Sequence, residues 1–162
     1  MNRLKLFFLL LLLCSNSAFS QVKVSLLSTQ FVLEQKFKLM QQAAEKQGVE
    51  LAWLQVDRVG TDKINAALKD ANLVIIDAPR SDDIAVIERS AGDALKNVTV
   101  PLLQISVMNQ GERLKAIQLN EDVANRLFDY YAGGTPVNHE RLFQYLNAML
   151  TGGDVLKVAE PM

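Results

Sequence analysis

Short apolar segments alternate with amphipathic segments along most of this chain, and this alternation restricts its fold more than any other feature. Residues 22–27 are rich in β-forming side chains, and residues 31–47 then repeat apolar side chains at helical spacing. The same succession of strand and helix recurs further along the sequence. Such alternation is typical of a parallel sheet with helices on both faces. The sequence therefore predicts a three-layer α/β domain.

Further apolar segments predict the other strands of a mostly parallel sheet of four to five strands. These segments are residues 49–56, 73–76, 102–107 and, more weakly, 114–118. The predicted N-caps of the helices between them are Thr61 or Asp62, Ser81 or Asp82, and Asn120. The strand order expected for this pattern is 2-1-3-4-5, as in flavodoxin-like and Rossmann-like domains.

Polar residues follow three of the predicted strands. In a sheet of this order, ligands bind beyond the carboxyl ends of the strands, where the strand order reverses. The candidates are Ser28 and Thr29 after the first strand, Asp77 and Arg80 after the third, and Asn109 after the fourth. Asp77 with Arg80 would orient a polar ligand through charge-assisted hydrogen bonds. The alternative is structural, because the same residues suit a turn and helix caps.

Motifs for nucleotide or metal chemistry are missing from the sequence. Residues 27–30, Leu-Ser-Thr-Gln, contain neither a G-x-G-x-x-G fingerprint nor a Walker lysine. His139 is the only histidine, and we expect it on the solvated surface of the last helix. Asp82 and Asp83 form an acidic pair that favours the N-terminus of a helix dipole. Because a metal site needs several ligands, we predict no metal site and no catalytic residue.

The first residues have the pattern of an export signal. Arg3 and Lys5 precede an apolar run at residues 6–14, and residues 18–20, Ala-Phe-Ser, fit a small-x-small cleavage pattern. This predicts a signal peptide at residues 1–20 and a periplasmic or otherwise extracytoplasmic location. The apolar run is less than half of the roughly 20 residues that cross a bilayer, so a permanent membrane span is the less favoured alternative.

Cleavage near Ser20 would leave one α/β domain at residues 21–153 and a tail at residues 154–162, which we expect to be loose. Cys14 is the only cysteine and would leave with the signal peptide, so the domain would form no disulfide and no thiolate metal site. Lipid attachment at Cys14 is an alternative, although Leu13 stands where a small residue would be expected.

The charge of the chain argues against nucleic acid as a partner. The formal net charge is −1, and a leader that removes two basic residues and no acidic residue lowers it to about −3. Binding to phosphate backbones relies on a concentrated basic face.

Residues 129–146, Asp-Tyr-Tyr-Ala-Gly-Gly-Thr-Pro-Val-Asn-His-Glu-Arg-Leu-Phe-Gln-Tyr-Leu, predict a helix, a glycine break and a second helix. Gly133 and Gly134 can adopt the positive φ that ends a helix, and Thr135 with Pro136 fits an N-cap followed by the first helical position. A C-terminal helical hairpin with aromatic residues on its inner side follows from this pattern.

This corner resembles a pattern near the end of the N-terminal region in the large subunits of cobaltochelatases and their magnesium-chelatase relatives. The matching residues are Tyr130, Tyr131, Gly133, Gly134, Asn138, Leu142, Tyr145 and Leu146. Residues 73–81, Leu-Val-Ile-Ile-Asp-Ala-Pro-Arg-Ser, are similar to the strand and turn that precede the corner in that family. The resemblance covers nearly all of residues 21–162 but only a small part of the family's usual length.

The resemblance implies a role in the handling of tetrapyrroles or metals, such as cobalamin or haem, in the cell envelope. The family's large subunits bind a tetrapyrrole and a divalent metal and work with separate ATPase subunits. For this chain it implies an accessory or recognition module that does not insert metal alone. Its partners would be a longer chelatase-like chain or an envelope transport component. The alternatives are a free-standing periplasmic protein that binds a small ligand, and the remnant of a split gene.

The aromatic residues of the corner have two interpretations. Tyr130, Tyr131 and Tyr145 would suit the face of a porphyrin, but aromatic residues at a helix corner more often pack into the core, and we favour the core. Asn138 is expected to fasten the corner through hydrogen bonds to backbone groups.

Overall fold

The computed structural model describes residues 21–108 and 113–162. Within them, strands and helices alternate as far as the fourth strand, and two helices follow the fifth. The strands are β1 (Val22–Ser28), β2 (Val49–Gln55), β3 (Leu73–Asp77), β4 (Leu102–Ile105) and β5 (Leu114–Ile117). The helices are α1 (Glu34–Lys46), α2 (Thr61–Asp70), α3 (Ser81–Lys96), α4 (Glu121–Gly133) and α5 (Pro136–Thr151), followed by a 3₁₀ turn, Val155–Lys157.

The strands form one sheet of order β2-β1-β3-β4-β5, which confirms the predicted order. The first four strands run parallel to one another, whereas β5 is antiparallel to β4. The register pairs Ser28 with Asp77, so the last residues of β1 and β3 lie side by side. The strand order reverses between these two strands, and this is where a sheet of this kind opens a crevice at its carboxyl edge.

Helices cover both faces of the sheet, as a three-layer domain requires. The first core lies between the sheet and helices α1, α4 and α5, and the second lies between the sheet and helices α2 and α3. Because side chains alternate along a strand, Leu73 and Ile75 face the first core while Val74 and Ile76 face the second. Burial on both faces explains why the strands read as continuous apolar runs.

The predicted N-caps of α2 and α3 are wrong by one residue or more, because the capping positions are occupied by Gly60 and Arg80 and the helices begin at Thr61 and Ser81.

The predicted N-caps of α4 and α5 are confirmed. Asn120 accepts a hydrogen bond from the backbone N–H of Val123 at 2.8 Å, and Thr135 accepts one from that of Asn138 at 3.1 Å. Gly48 follows α1 with φ +68°, as a glycine that terminates a helix does. Each cap satisfies a backbone group that the helix itself leaves unpaired.

The start of α1 differs from the prediction. The helix begins at Glu34, so Phe31 and Leu33 belong to the loop after β1, and their side chains are 43% and 73% exposed. Their spacing from Phe37 and Met40 matches the period of a helix. However, Phe31 and Leu33 lie in the segment that connects β1 to α1 at the carboxyl edge of the sheet. Two large apolar side chains are therefore presented at that edge.

The glycine corner forms as predicted, but only one of its two glycines has the expected backbone conformation. Gly134 lies in the left-handed region with φ +63° and ends α4. Gly133 is the last residue of α4 and does not have a positive φ. It is small for a different reason, since a Cβ at this position would lie 2.1 Å from Nδ2 of Asn138.

Residues 154–162, which we expected to be a loose tail, pack against α4 and α5. Val158 is 3% exposed and belongs to the first core. Tyr130 and Asn138 hydrogen-bond the backbone of Ala159 and Met162. The expectation followed from weak local propensity, whereas the segment is held by contacts with helices distant in sequence.

Among the helices of the described residues, none is long and apolar enough to cross a membrane.

Candidate functional site

The carboxyl edge of the sheet contains a buried polar group that we call the strand-end cluster, formed by Ser28, Lys36, Trp53, Asp77 and Tyr131. Ser28 and Asp77 end neighbouring strands and are 0% and 1% exposed. Buried polar groups are costly unless they are hydrogen-bonded. The partners of these side chains therefore decide whether the cluster is structural or open to a ligand.

Asp77 is held by a cation and a phenol. Lys36 Nζ lies 3.0 Å from Asp77 Oδ2, and the Tyr131 hydroxyl donates a hydrogen bond to the same oxygen. Lys36 Nζ also lies 3.9 Å from the centre of the Tyr131 ring, a cation–π distance. Burial raises the pKa of Tyr131 well above its usual value, and the charge and hydrogen bond of Asp77 raise it further. Tyr131 is therefore a neutral donor. The Asp77 Oδ1 atom has no hydrogen-bond partner within the described residues.

Arg80 does not pair with Asp77, and the binding of a polar ligand by these two side chains stays a prediction. The Arg80 guanidinium binds Asp83 instead, with Nε 2.8 Å from Oδ2 and Nη2 2.9 Å from Oδ1. Thr29 Oγ1 donates to Asp83 Oδ1 at 2.7 Å, so Thr29 is engaged as well. Asp83 lies in the first turn of α3, where the sequence analysis placed it at the helix dipole, and it is only 2% exposed. The hydrogen bond from Arg80 lowers the pKa of Asp83, with Thr29 adding to the effect.

Ser28 is engaged by an aromatic neighbour. Trp53 Nε1 donates to Ser28 Oγ at 2.6 Å, and the Trp53 ring stacks on Phe37 with 4.4 Å between centroids and 24° between planes. Ser28 therefore positions an indole, and the chain's only tryptophan reports on this edge of the sheet.

His139 is buried, which corrects the expectation of a solvated surface residue. Its side chain is 0% exposed, and within the described residues neither ring nitrogen has a hydrogen-bond partner. Burial lowers its pKa to about 4, and the nearby charge of Lys36 contributes. A signal was present in the sequence, because His139 continues the spacing of Leu142, Phe143 and Leu146 along one helix face.

The aromatic residues of the corner pack into the core, as we favoured. Tyr130, Tyr131 and Tyr145 are 0%, 1% and 4% exposed. The Tyr130 and Tyr145 rings are tilted with 6.0 Å between centroids. Side chains so placed present no aromatic face to a macrocycle. Asn138 uses its amide on the backbone of Met162, so it fastens the tail to the corner.

Exposed groups at the carboxyl edge form what we call the rim surface, made of Phe31, Leu33, Arg80 and Met108. Phe31 is 43%, Leu33 73% and Met108 61% exposed. Arg80 Cζ lies 3.9 Å from the centre of the Phe31 ring, and the backbone N–H of Met108 donates to the Pro79 carbonyl at 3.0 Å. The rim surface thus combines three apolar side chains with a guanidinium. Asn109, predicted beside it, lies outside the described residues.

A groove of about 540 Å³ adjoins the rim surface on the side of β2. It lies between α1 and the loop that follows β2, and its lining includes Leu33, Phe37, Trp53 and Arg58. Arg58 Nη2 donates to the side-chain oxygen of Gln30 at 3.1 Å, which fixes one wall. The groove therefore offers aromatic edges and a cation to a bound group. Nowhere in the described part of the chain is a group of three or more His, Cys, Asp or Glu side chains placed to hold a metal ion.

This fold and site define a doubly wound α/β domain that exposes three large apolar side chains at its carboxyl edge. Comparisons with known proteins found no matching family model and no matching curated protein. Among solved structures, the chain is similar to the catalytic subunit of cobaltochelatase from Mycobacterium tuberculosis, with a TM-score of 0.58 and 20% identity. The similarity covers 88% of this chain and 11% of that one. The two share a fold, and this chain spans about a tenth of the subunit's length.

Proposed function

We propose that this chain is an accessory or recognition module in tetrapyrrole and metal handling, which docks onto a longer chelatase-like chain through its rim surface. The observation that carries the proposal is the shared fold, because 88% of the chain aligns with a segment of a cobaltochelatase catalytic subunit. Since that segment is 11% of the subunit, we assign metal insertion to the longer partner and not to this chain.

The rim surface is the better docking site than the aromatic corner. Interfaces are built around exposed apolar and arginine side chains that become buried on binding. Phe31, Leu33 and Met108 offer such side chains, and Arg80 is already oriented by Asp83. Tyr130 and Tyr131 are unavailable because the domain's own core buries them.

The proposed location is the periplasm or another extracytoplasmic compartment, after cleavage near Ser20. Residues 1–20 carry this proposal through their sequence pattern of basic residues, an apolar run and a small-x-small site. In that compartment, an envelope transport component for haem or cobalamin-like compounds is a second candidate partner.

A pulldown with residues 21–162 from envelope extracts tests the docking proposal. We expect recovery of a chelatase-like chain or a transport component, identified by mass spectrometry. Leu33→Ser with Met108→Ser should weaken capture about tenfold, the equivalent of about 1.4 kcal/mol. The matched control is Leu156→Ser, which removes an 84% exposed side chain outside the rim surface. Equal capture by both variants would exclude the rim surface as the docking site.

The groove beside Trp53 favours a second candidate function, a free-standing protein that binds a small ligand. Titration with haem, cobalamin precursors and small polar compounds, followed by absorbance and Trp53 emission, separates the two. Saturable changes with a small compound and no recovered partner would favour the binding protein. No change with any tetrapyrrole, together with recovery of a chelatase-like chain, would favour docking without direct contact with the macrocycle.

A further inference from the structure

The face of the sheet that contains the second core is only partly covered. Among the described residues, helices α2 and α3 pack on this face, whereas α1, α4 and α5 pack on the other. Packed helices lie about 8–10 Å apart and neighbouring strands about 4.8 Å apart, so two helices cover about four strands. β5 is the strand left over. Leu114 and Ala116 pack towards the first core, so Ile117 faces the uncovered side, where it is 46% exposed.

A groove of about 500 Å³ lies between α3 and this part of the sheet, and we call it the β5 groove. Leu102 pairs with Ile117 and Gln104 with Lys115, so these side chains face the groove together. Sites for small molecules are commonly concavities of about 300–1,000 Å³ with mostly apolar walls and a few polar groups. The β5 groove has this size and this kind of lining. Its apolar walls are formed by Ile76, Ile84, Ile87, Leu95, Leu102 and Ile117.

Gly92 keeps the α3 side of the β5 groove open. It lies inside α3 on one stripe with Glu88 and Lys96, at a spacing of four residues, and all three line the groove. A Cβ added at Gly92 would meet no atom within 4 Å. A glycine inside a helix is destabilising relative to alanine, and packing within the chain does not require one at this position. The missing side chain leaves space for a bound group.

The charged side chains that line the β5 groove carry an excess of positive charge, although the whole chain has a formal net charge of −1. The cations are Arg89, Lys96 and Lys115, and the anions are Glu88 and Asp93. Lys96 Nζ lies 2.9 Å from Asp93 Oδ1, so these two charges neutralise each other. Two cations then stand against the single carboxylate of Glu88. An apolar groove with excess positive charge is complementary to a ligand that is apolar and anionic.

We propose that the β5 groove binds a small amphipathic carboxylate. The apolar part of the ligand lies between α3 and β5, where it removes Ile117 from water, and Arg89 and Lys115 hold the carboxylate through charge-assisted hydrogen bonds. The groove is remote from the rim surface, since it includes Lys96 at the end of α3 and Leu102 at the start of β4. Docking through the rim surface and ligand binding in the β5 groove are therefore tested separately.

Filling the groove from Gly92 tests the proposal. The probe is decanoate, and its binding to the full chain is measured by isothermal titration calorimetry. Gly92→Leu places a side chain in the open space and should weaken binding at least about tenfold. Its melting temperature should not fall, because leucine is the better helix former. Gly92→Ala adds only a methyl group, and as the matched control it should keep most of the affinity. Equal affinity of Gly92→Leu and the unaltered chain, or no saturable binding by the unaltered chain, would overturn the proposal.

The charge of the ligand is tested with a second pair of probes and variants. Decyltrimethylammonium has an alkyl chain of the same length but a positive charge, and it should bind at least about tenfold more weakly than decanoate. Lys115→Gln should weaken decanoate binding, whereas Lys157→Gln, at an 81% exposed side chain on the 3₁₀ turn, should not. If the two probes bound equally, or if both variants bound decanoate like the unaltered chain, the proposal would be overturned even if the Gly92→Leu chain failed to fold.

Discussion

The carboxyl edge of the sheet and the α4–α5 corner both contain polar and large apolar residues, but they bury and expose different ones. At the edge, the charges of Asp77 and Asp83 are neutralised inside the domain, and apolar Phe31 and Leu33 remain outside. At the corner, the aromatic rings are buried and the hydroxyl of Tyr130 binds the chain's own tail. A residue's type therefore indicates its chemistry, but its position decides whether that chemistry is available to a partner.

The largest expected effect is on the strand-end cluster. Lys36→Met should lower the free energy of unfolding by about 3–5 kcal/mol, because it leaves the 1% exposed Asp77 carboxylate without its cation. Urea unfolding at pH 7, followed by Trp53 emission, measures the change. Lys38→Met on the same helix is the control, since Lys38 is 67% exposed and should change stability by less than about 0.5 kcal/mol. Equal losses would show that Asp77 does not depend on Lys36.

A smaller effect is expected when the pH falls. His139 has a folded-state pKa of about 4, below the value of about 6.5 for an unfolded chain, so it stays neutral in the fold. Between pH 7 and pH 5 the unfolded chain gains a proton that the folded chain does not. This lowers the free energy of unfolding by about 2 kcal/mol, and the loss continues until the folded chain is itself protonated below pH 4.

The non-titrating variant His139→Gln isolates this contribution, because the chain has no other histidine. Its unfolding free energy should change between pH 7 and pH 5 by about 2 kcal/mol less than that of the unaltered chain. Identical pH dependence of the two proteins would contradict the assignment of His139 as a buried neutral imidazole.

The corner should respond to a smaller change in its backbone. Gly134→Ala should lower the unfolding free energy by about 1–2 kcal/mol, because Gly134 has φ +63° and a Cβ is unfavourable there. Gly92→Ala should have the opposite sign and stabilise by about 0.5–1 kcal/mol, since Gly92 lies inside α3 and an added Cβ would meet no atom within 4 Å. The melting temperatures of both variants, compared with that of the unaltered chain, measure the two changes in stability. If Gly92→Ala lowered stability as much as Gly134→Ala, the positive φ of Gly134 would not explain the effect at that position.

The smallest effect on stability is expected at the rim surface. Leu33→Ser should change the unfolding free energy by less than about 0.5 kcal/mol, because the side chain is 73% exposed. Its effect should appear in partner capture and not in thermal melts. A loss of stability well above this value would mean that Leu33 contributes to folding. Leu33 would then not differ in this respect from the buried side chains of the α4–α5 corner.

Local patterns in the sequence predicted the caps at Asn120 and Thr135 and the burial of Tyr130, because each depends on residues close in the chain or on a regular period. The sheet order followed from the alternation of strands and helices, for which 2-1-3-4-5 is a common order. The partner of Asp77 was not predictable in this way. Lys36 and Tyr131 reach it from helices 41 and 54 residues away in sequence, whereas Arg80, the nearer candidate, pairs with Asp83. The burial of His139 was not predicted, because a polar side chain next to Asn138 and Glu140 resembles a solvated one despite its place on an apolar helix face.

The amino-acid sequence by itself determined the doubly wound α/β class, the order of the strands and the glycine corner, since periodicity and capping are properties of short segments. Only the tertiary structure decided which charges pair, that the tail is bound, and that Phe31, Leu33 and Met108 remain exposed. The pairing of Asp77 and the binding of the tail depend on side chains that are far apart in the chain, and packing of the helices on the sheet sets the distances between them.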